Sequence, residues 1–308
     1  MRAARFHRFG GPEVLEIEDI PEPHAGPGQV RVAVQAVGIN PTDCKQRQGL
    51  FGGELPQTTG RDVAGVVDEV GGSVSGAEVG ERVFGFSDDA AGAAEFALVT
   101  HFARIPGSLS FTAAAALPVV LETATRSLDA LHVHSGSVLL INGASGGIGS
   151  AAVQLAVARG ARVIGTAGPA NHAYLRSIGA QPLAYGPGLV ERVRALAPGG
   201  VERALDVGGG DALPDLIELA GGANNVVTIA DFAGAQKYGV KFSRGEDGRA
   251  FHALAEIGAL IESGRFALPV AATFPLAQIA EAHRLVESGH VRGKVVVLVG
   301  AGRAPSLA

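Results

Sequence analysis

The chain runs to 308 residues, 47% hydrophobic and 18% charged, a balance that fills packed cores and does not fit a disordered chain. Its net charge of −5 gives no broad basic surface for nucleic acid, and one cysteine, Cys44, excludes an internal disulfide or a cysteine-built zinc site. Mean hydropathy is positive, +0.26, but no apolar run nears the ~18–20 residues of a spanning helix and the basic opening MRAARFHRFGGPEV leads into no apolar stretch, so a soluble, cytoplasmic chain of roughly two domains is expected.

Residues 1 to about 105 read as short strands with turn punctuation. Residues 29–37 alternate apolar and polar, residues 63–70 form a second apolar run, and Pro21-Glu-Pro23, Gly26-Pro-Gly28 and Gly71-Gly72 separate such runs. From Phe111 the texture changes: residues 113–131 are rich in alanine and leucine and read as helix, with Pro118 at a bend or a helix start. His132 and His134 fall in an exposed turn. Residues 138–149, VLLINGASGGIG, then run from an apolar strand into a glycine-rich turn, and residues 150–158 continue as helix. A second apolar strand follows at residues 161–166. Strand, glycine turn, helix and strand in this order open a dinucleotide-binding βαβ unit. Gly146 and Gly147 have no Cβ, so a pyrophosphate can lie against the backbone, and Ser145 and Ile148 complete the turn and the first helical amides that would face it. Gly149 would let helix and strand pack closely. Ala144 stands where the usual fingerprint has its first glycine.

Strands at residues 203–206 and 225–230 and helices at residues 189–196 and 248–263 extend the alternation to about residue 265, which predicts a doubly wound parallel sheet. A last strand–helix–strand piece (residues 270–274, 276–286 and 295–299) is expected to return to the first domain. The predicted organisation is a β domain of residues 1–110 and 267–308 around a dinucleotide-binding domain of residues 111–266.

Several motifs occur in one order: Gly38-Ile-Asn-Pro-Thr-Asp43, Gly60-Arg-Asp-Val-Ala-Gly-Val-Val67, Gly80-Glu-Arg-Val-Phe-Gly85, the glycine turn, and His290-Val-Arg-Gly-Lys-Val-Val296. As an ordered set they resemble the medium-chain dehydrogenase/reductase superfamily, and within it the zinc-free quinone oxidoreductase and enone (alkenal) reductase branch. The resemblance implies a GroES-like β domain, a Rossmann domain of α/β class, and a homodimer. The segment at residues 231–243, with Val240-Lys-Phe242 as an edge strand, is a candidate for pairing with a second copy.

Zinc-dependent relatives carry cysteine where this chain has Asn40 and histidine where it has Arg61, and neither replacement is a zinc ligand. Asp43 and Asp62 are expected in ion pairs or hydrogen bonds, and no metal site is expected. The second strand of the nucleotide sheet ends at Thr166 and runs on as Ala-Gly-Pro-Ala-Asn-His172 without the acid that would hold a ribose 2′-hydroxyl. By resemblance Tyr185 would contact a 2′-phosphate, with His172 and Arg176 in place of the family's lysine, so NADPH is the expected cofactor. The resemblance places Asn40 and Thr123 near the nicotinamide, with Asn40 also beside the substrate as a catalytic donor to its oxygen, and Val207 and Ile229, at two strand ends, would line the same crevice. Lys45, in an Asn-Pro-x-Asp-x-Lys-x-Arg-x-Gly context shared with enone reductases, would face the oxygen that gains charge on hydride addition. The expected activity is reduction of a quinone or of the activated double bond of an enone, with no metal to polarise an alcohol. The alternative is a nucleotide-binding protein with a structural or redox-sensing role and no turnover.

Overall fold

The computed structural model describes residues 1–245, 248–289 and 291–300, and the alternation read in the first hundred residues appears in it as a closed set of strands. In chain order the elements are β1 (Arg2–Phe6), β2 (Glu16–Asp19), β3 (Val30–Ile39), α1 (Pro41–Arg47), β4 (Gln57–Thr58), β5 (Asp62–Val70), β6 (Arg82–Ser87), β7 (Phe96–Arg104) and α2 (Phe111–Ala115). Strand β1 lies between β2 and β4 in a small antiparallel sheet. Strand β7 pairs with β6 and again with β3, closing β3, β5, β6 and β7 on themselves and removing exposed edges. The reason is legible in β3: Val30, Val32 and Val34 are buried while Arg31, Ala33 and Gln35 are half-buried.

Helix α3 (Pro118–Ala130) begins at its proline, where the missing amide costs no intrahelical bond. The alternating part then follows: β8 (Val138–Asn142), α4 (Gly147–Ala158), β9 (Arg162–Thr166), α5 (His172–Ser177), β10 (Ala180–Leu183), α6 (Leu189–Leu196), β11 (Arg203–Asp206), α7 (Leu213–Leu219), β12 (Val226–Thr228), α8 (Phe232–Tyr238) and β13 (Lys241–Phe242). The strands form one parallel sheet in the order β10-β9-β8-β11-β12-β13, with β13 outermost. Leu139, Leu140 and Ile141 are wholly buried, as a central parallel strand requires. The chain runs outward from β8 to β10, then crosses to β11 on the other side of β8, so the sheet's topological switch lies between β8 and β11.

The predicted helix at residues 248–263 is instead two short ones, α9 (Ala253–Glu256) and α10 (Gly258–Glu262). Gly245 and Gly248 take φ of +90° and +110°, which ends any helix upstream of Ala253. Finally β14 (Val270–Pro275), α11 (Ile279–Glu287) and β15 (Lys294–Leu298) return to the first sheet, where β15 pairs with β3. His290, which opens the last sequence motif, lies outside the described residues. Two compact units result: Met1–Val119 with Leu254–Glu262 and the chain from Leu268 on, and Val120–Ala253 with Ser263–Ala267. Among the described residues no helix is long and apolar enough to cross a membrane.

In the first unit α1 packs on α11 across a buried polar pair, with Cys44 Sγ 3.5 Å from His283 Nδ1. Burial pushes the Cys44 thiol up to about 12. Burial, with the Arg47 guanidinium close by, pushes His283 down to about 3. The pair is a neutral thiol beside a neutral imidazole, so Cys44 is no thiolate nucleophile. Unfolding returns His283 to an ordinary value of ~6.5, so below that pH the unfolded chain binds the extra proton and stability is lost as pH falls. Asp43, pushed up to about 6 mainly by burial, works the other way, losing stability as pH rises from the ordinary carboxylate range. A His283→Phe variant isolates the histidine. The unfolding free energy of the wild type, relative to this variant, is expected to fall by about 2 kcal/mol between about pH 7 and pH 5 in urea titrations. A difference that stays constant over that range would mean that His283 titrates normally.

Candidate functional site

Each central strand of the parallel sheet ends on a polar residue: Asn142 on β8, Thr166 on β9, Asp206 on β11 and Thr228 on β12, all buried. The four are joined side chain to side chain across the sheet. The Thr166 hydroxyl donates to Asn142 Oδ1 at 2.7 Å, Asn142 Nδ2 donates to Asp206 Oδ1 at 2.9 Å, and the Thr228 hydroxyl donates to Asp206 Oδ2 at 2.7 Å. Their remaining capacity shapes the loops that follow. Thr166 accepts from the Gly143 amide at 3.1 Å, Asp206 from the amides of Gly208 and Gly209, and Thr228 from those of Ala230 and Asp231. Buried polar groups satisfied in this way hold a single arrangement at the carboxyl edge, where open α/β sheets bind ligands.

The glycine turn rises from that edge. Helix α4 starts at Gly147, and its first amides have no acceptor within the helix, which leaves them for an anion. Gly149 is required by packing: a Cβ there would sit 2.3 Å from the Gly143 carbonyl oxygen and 2.8 Å from Ala144 Cα. Ala144 fits in place of the first glycine because Gly165 faces it on β9, where a Cβ would lie 2.7 Å from the Ala144 methyl. This cradle of small residues and open amides suits the pyrophosphate of a dinucleotide.

The structure brings Ser145, Gly146, Gly147, Ile148, Thr166, Val207 and Ile229 to this one edge. Val207 and Ile229 are half-buried residues directly after β11 and β12. Thr166, expected as a ligand contact, has its hydroxyl spent on Asn142 and Gly143, which makes it a positioning residue. Ser145 Oγ accepts from Asn171 Nδ2 at 3.3 Å. His172 opens α5 at the end of the loop after β9, and Tyr185, 64% exposed, lies on the adjoining loop after β10. His172 Nε2 is 3.1 Å from the Ala167 carbonyl oxygen. Thr123, buried on α3, turns its hydroxyl to Glu122, which also takes Arg126 at 2.6 Å and the Ala250 amide at 3.3 Å.

Asn40 and Lys45 belong to the first unit. Asn40 precedes α1 and is 2% exposed, with its side chain fully engaged. Its Nδ2 donates to Asp62 Oδ2 at 2.9 Å, and its Oδ1 accepts from Lys294 Nζ. Lys294 also lies 3.3 Å from Asp62 Oδ2, and the other Asp62 oxygen accepts from the Val119 amide at 2.8 Å. Burial raises Asp62, and Lys294 is the leading influence against that shift. Asp43 Oδ2 accepts the Asn40 amide at 2.8 Å, and its Oδ1 is 3.6 Å from Arg61 Nε. Asn40, expected as a free donor to substrate, is therefore the centre of a buried ionic knot, and sequence reasoning missed its key partner, Lys294. Lys45, on α1, is exposed.

This donor set does not fit zinc. An amide and a guanidinium occupy two of the positions, Asp62 faces an ammonium, and among the described residues no three His, Cys, Asp or Glu side chains are grouped to hold a metal ion.

A GroES-like β domain and a parallel dinucleotide-binding sheet are the class of protein that this fold defines. Residues 26–116 match the alcohol dehydrogenase GroES-like domain family and residues 178–297 the zinc-binding dehydrogenase family. The chain belongs to the medium-chain dehydrogenase/reductase superfamily, in its zinc-free quinone oxidoreductase branch. It is 31% identical to an NADPH-dependent alkenal/one oxidoreductase of Arabidopsis thaliana over 96% of this chain and 79% of that protein. It is 43% identical to a quinone oxidoreductase of Pongo abelii over 54% of this chain and 53% of that protein. The match thus spans about half the length of these curated quinone oxidoreductases. The structure of the quinone oxidoreductase from Coxiella burnetii superposes with a TM-score of 0.83 at 30% identity, covering 97% of this chain and 99% of that one.

Proposed function

We propose that this protein is an NADPH-dependent oxidoreductase that transfers hydride to a quinone or to the activated double bond of an enone. The observation that carries the reading is the Asn40–Asp62–Lys294 knot, in which Asn40, at a position where zinc-dependent relatives by resemblance carry a cysteine, is committed to an ion pair beside a retained dinucleotide cradle. NADPH, when bound, supplies a hydride. Without a Lewis acid the substrate itself must be electron-poor, as quinones and α,β-unsaturated carbonyls are. The cradle of Ser145, Gly146, Gly147 and Ile148 would hold the pyrophosphate, and Val207 and Ile229 would pack on the nucleotide. The stretch from Ala167 to His172 carries no acid to repel a 2′-phosphate. The relative named as an NADPH-dependent alkenal/one reductase supports the same choice of cofactor.

Lys45 is the residue that favours enones over quinones. Hydride addition leaves charge on the carbonyl oxygen, mainly in the transition state, so an ammonium there acts on turnover more than on binding. Loss of such a donor costs ~10²–10³ in kcat, and Lys45→Ala is expected to lower kcat for a small enone by at least about 10-fold, with solvent sharing the role. Quinone reduction should suffer less and NADPH affinity should barely change. Rates of NADPH oxidation with a panel of quinones and enones test both the activity and the residue. NADPH binding with no turnover of any acceptor would leave a nucleotide-binding protein, and wild-type rates for Lys45→Ala on both classes would make the lysine a bystander.

A further inference from the structure

The loops after β9 and β10 lie side by side, because Thr166 and Leu183 are register partners and the Ala167 amide donates to the Leu183 carbonyl at 2.9 Å. One loop leads into His172 at the start of α5 and the other carries Tyr185. His172 Nε2 lies 3.1 Å from the Ala167 carbonyl oxygen, so that ring nitrogen is committed to the backbone.

A permanent cation is built into the neighbouring loop instead. Arg192, half-buried on α6, donates through Nη1 to the Pro187 carbonyl at 2.7 Å. Through Nη2 it donates to the carbonyls of Ala184 and Gly186, each at 3.0 Å. Those last two residues flank Tyr185, so one guanidinium grips the chain on both sides of the exposed tyrosine. Neutral carbonyls fix the group and cancel none of its charge, and among the described residues Arg192 forms no ion pair. A cation in the first turns of a helix also opposes the helix dipole, so helix stability does not explain its place. Its three carbonyl contacts tie down the 184–187 turn and leave a net positive charge beside Tyr185.

We infer that Arg192 is the residue that selects NADPH over NADH, by holding Tyr185 in place and by setting a fixed positive charge behind it. The inference rests on the NADPH reading above. A 2′-phosphate, with charge near −1.5 to −2, gains from that field, whereas a 2′-hydroxyl gains little.

Dissociation constants for NADPH and NADH, measured by titration calorimetry, test it on the wild type, Arg192→Met and Arg192→Lys, with a thermal melt of each. Loss of the charge in Arg192→Met is expected to weaken NADPH binding by about 10-fold or more and NADH by less than about twofold. Arg192→Lys keeps the charge, is the less disruptive change, and is expected to retain a preference several-fold above that of Arg192→Met. An unchanged preference in Arg192→Met, equal weakening of both nucleotides, or a lysine variant as unselective as the methionine one would each overturn the role. Equal binding of the two nucleotides by the wild type would instead remove the NADPH reading, and the inference with it.

Discussion

A Gly146→Val variant is expected to fold normally and to bind NADPH at least about 100-fold more weakly than the wild type. Gly146 sits just before α4 with φ −72° and ψ 177°, an extended conformation open to any residue. A Cβ there would meet only the Gly143 carbonyl oxygen, at an ordinary 3.7 Å. The protein itself does not need a glycine at this position. What the missing side chain leaves open is the space above the turn, where the dinucleotide would lie on the amides of α4. A branched side chain would push the pyrophosphate off several charge-assisted hydrogen bonds worth ~1.5–3 kcal/mol each, and losing two of them already exceeds a hundredfold. Gly149 provides the contrast, because its Cβ would strike backbone at 2.3 Å, so Gly149→Ala confounds binding with stability. Titration of NADPH into Gly146→Val, with circular dichroism to confirm the fold, checks the expectation. Wild-type affinity in a folded variant would move the nucleotide to another part of the molecule.

The glycine turn was legible because it is local: every feature of the cradle lies within residues 138–166, and periodicity places it between a strand and a helix. The belt beneath it also left a trace, since each central strand closes its apolar run with one polar residue, in Val-Leu-Leu-Ile-Asn142, Val-Ile-Gly-Thr166, Ala-Leu-Asp206 and Val-Val-Thr228. That repetition could have been used to predict Asn142, Asp206 and Thr228 as the residues that set the loops. The sequence shows a hydroxyl at the end of β9 in Thr166 but not the asparagine that takes it.

The ionic knot was not legible. Lys294 and Asn40 stand 254 positions apart and meet only because β15 pairs with β3. In the sequence Lys294 stands in the last of the ordered motifs, before a run of valines, but its burial beside Asn40 depends on a partner strand that no local pattern specifies. The helix read at residues 248–263 begins later than expected for a local reason, the left-handed Gly248. Arg192 was not legible either: a basic residue on an amphipathic helix ordinarily faces solvent, and only the chain reversal after β10 brings the three carbonyls to it.

Replacing Lys294 by methionine should be among the most destabilising single changes in the first unit. Its ammonium is 95% buried against an Asp62 carboxylate with no exposure at all. A buried ion pair adds little over a well-packed apolar pair, but removing one partner strands the other charge, at a cost of ~3–5 kcal/mol. The stranded group here is Asp62. Its pKa is already raised by burial, with Lys294 foremost among the groups that restrain the shift, so losing the lysine raises it further. Unfolding returns the carboxyl to its ordinary value, so above that value the native state of the variant holds a proton that the unfolded chain releases. Stability of Lys294→Met relative to wild type should therefore fall as pH rises, until the new folded pKa is passed. Urea unfolding at about pH 5 and about pH 8 should show the larger deficit at the higher pH. Adding Asp62→Asn, which removes the stranded charge and keeps one oxygen for the Val119 amide while the Asn40 side chain, freed of Lys294, can turn its oxygen to the new NH2, should recover part of the loss and flatten its pH dependence. A deficit under about 1 kcal/mol, or one that neither pH nor Asp62→Asn alters, would mean that the ammonium is not what balances Asp62.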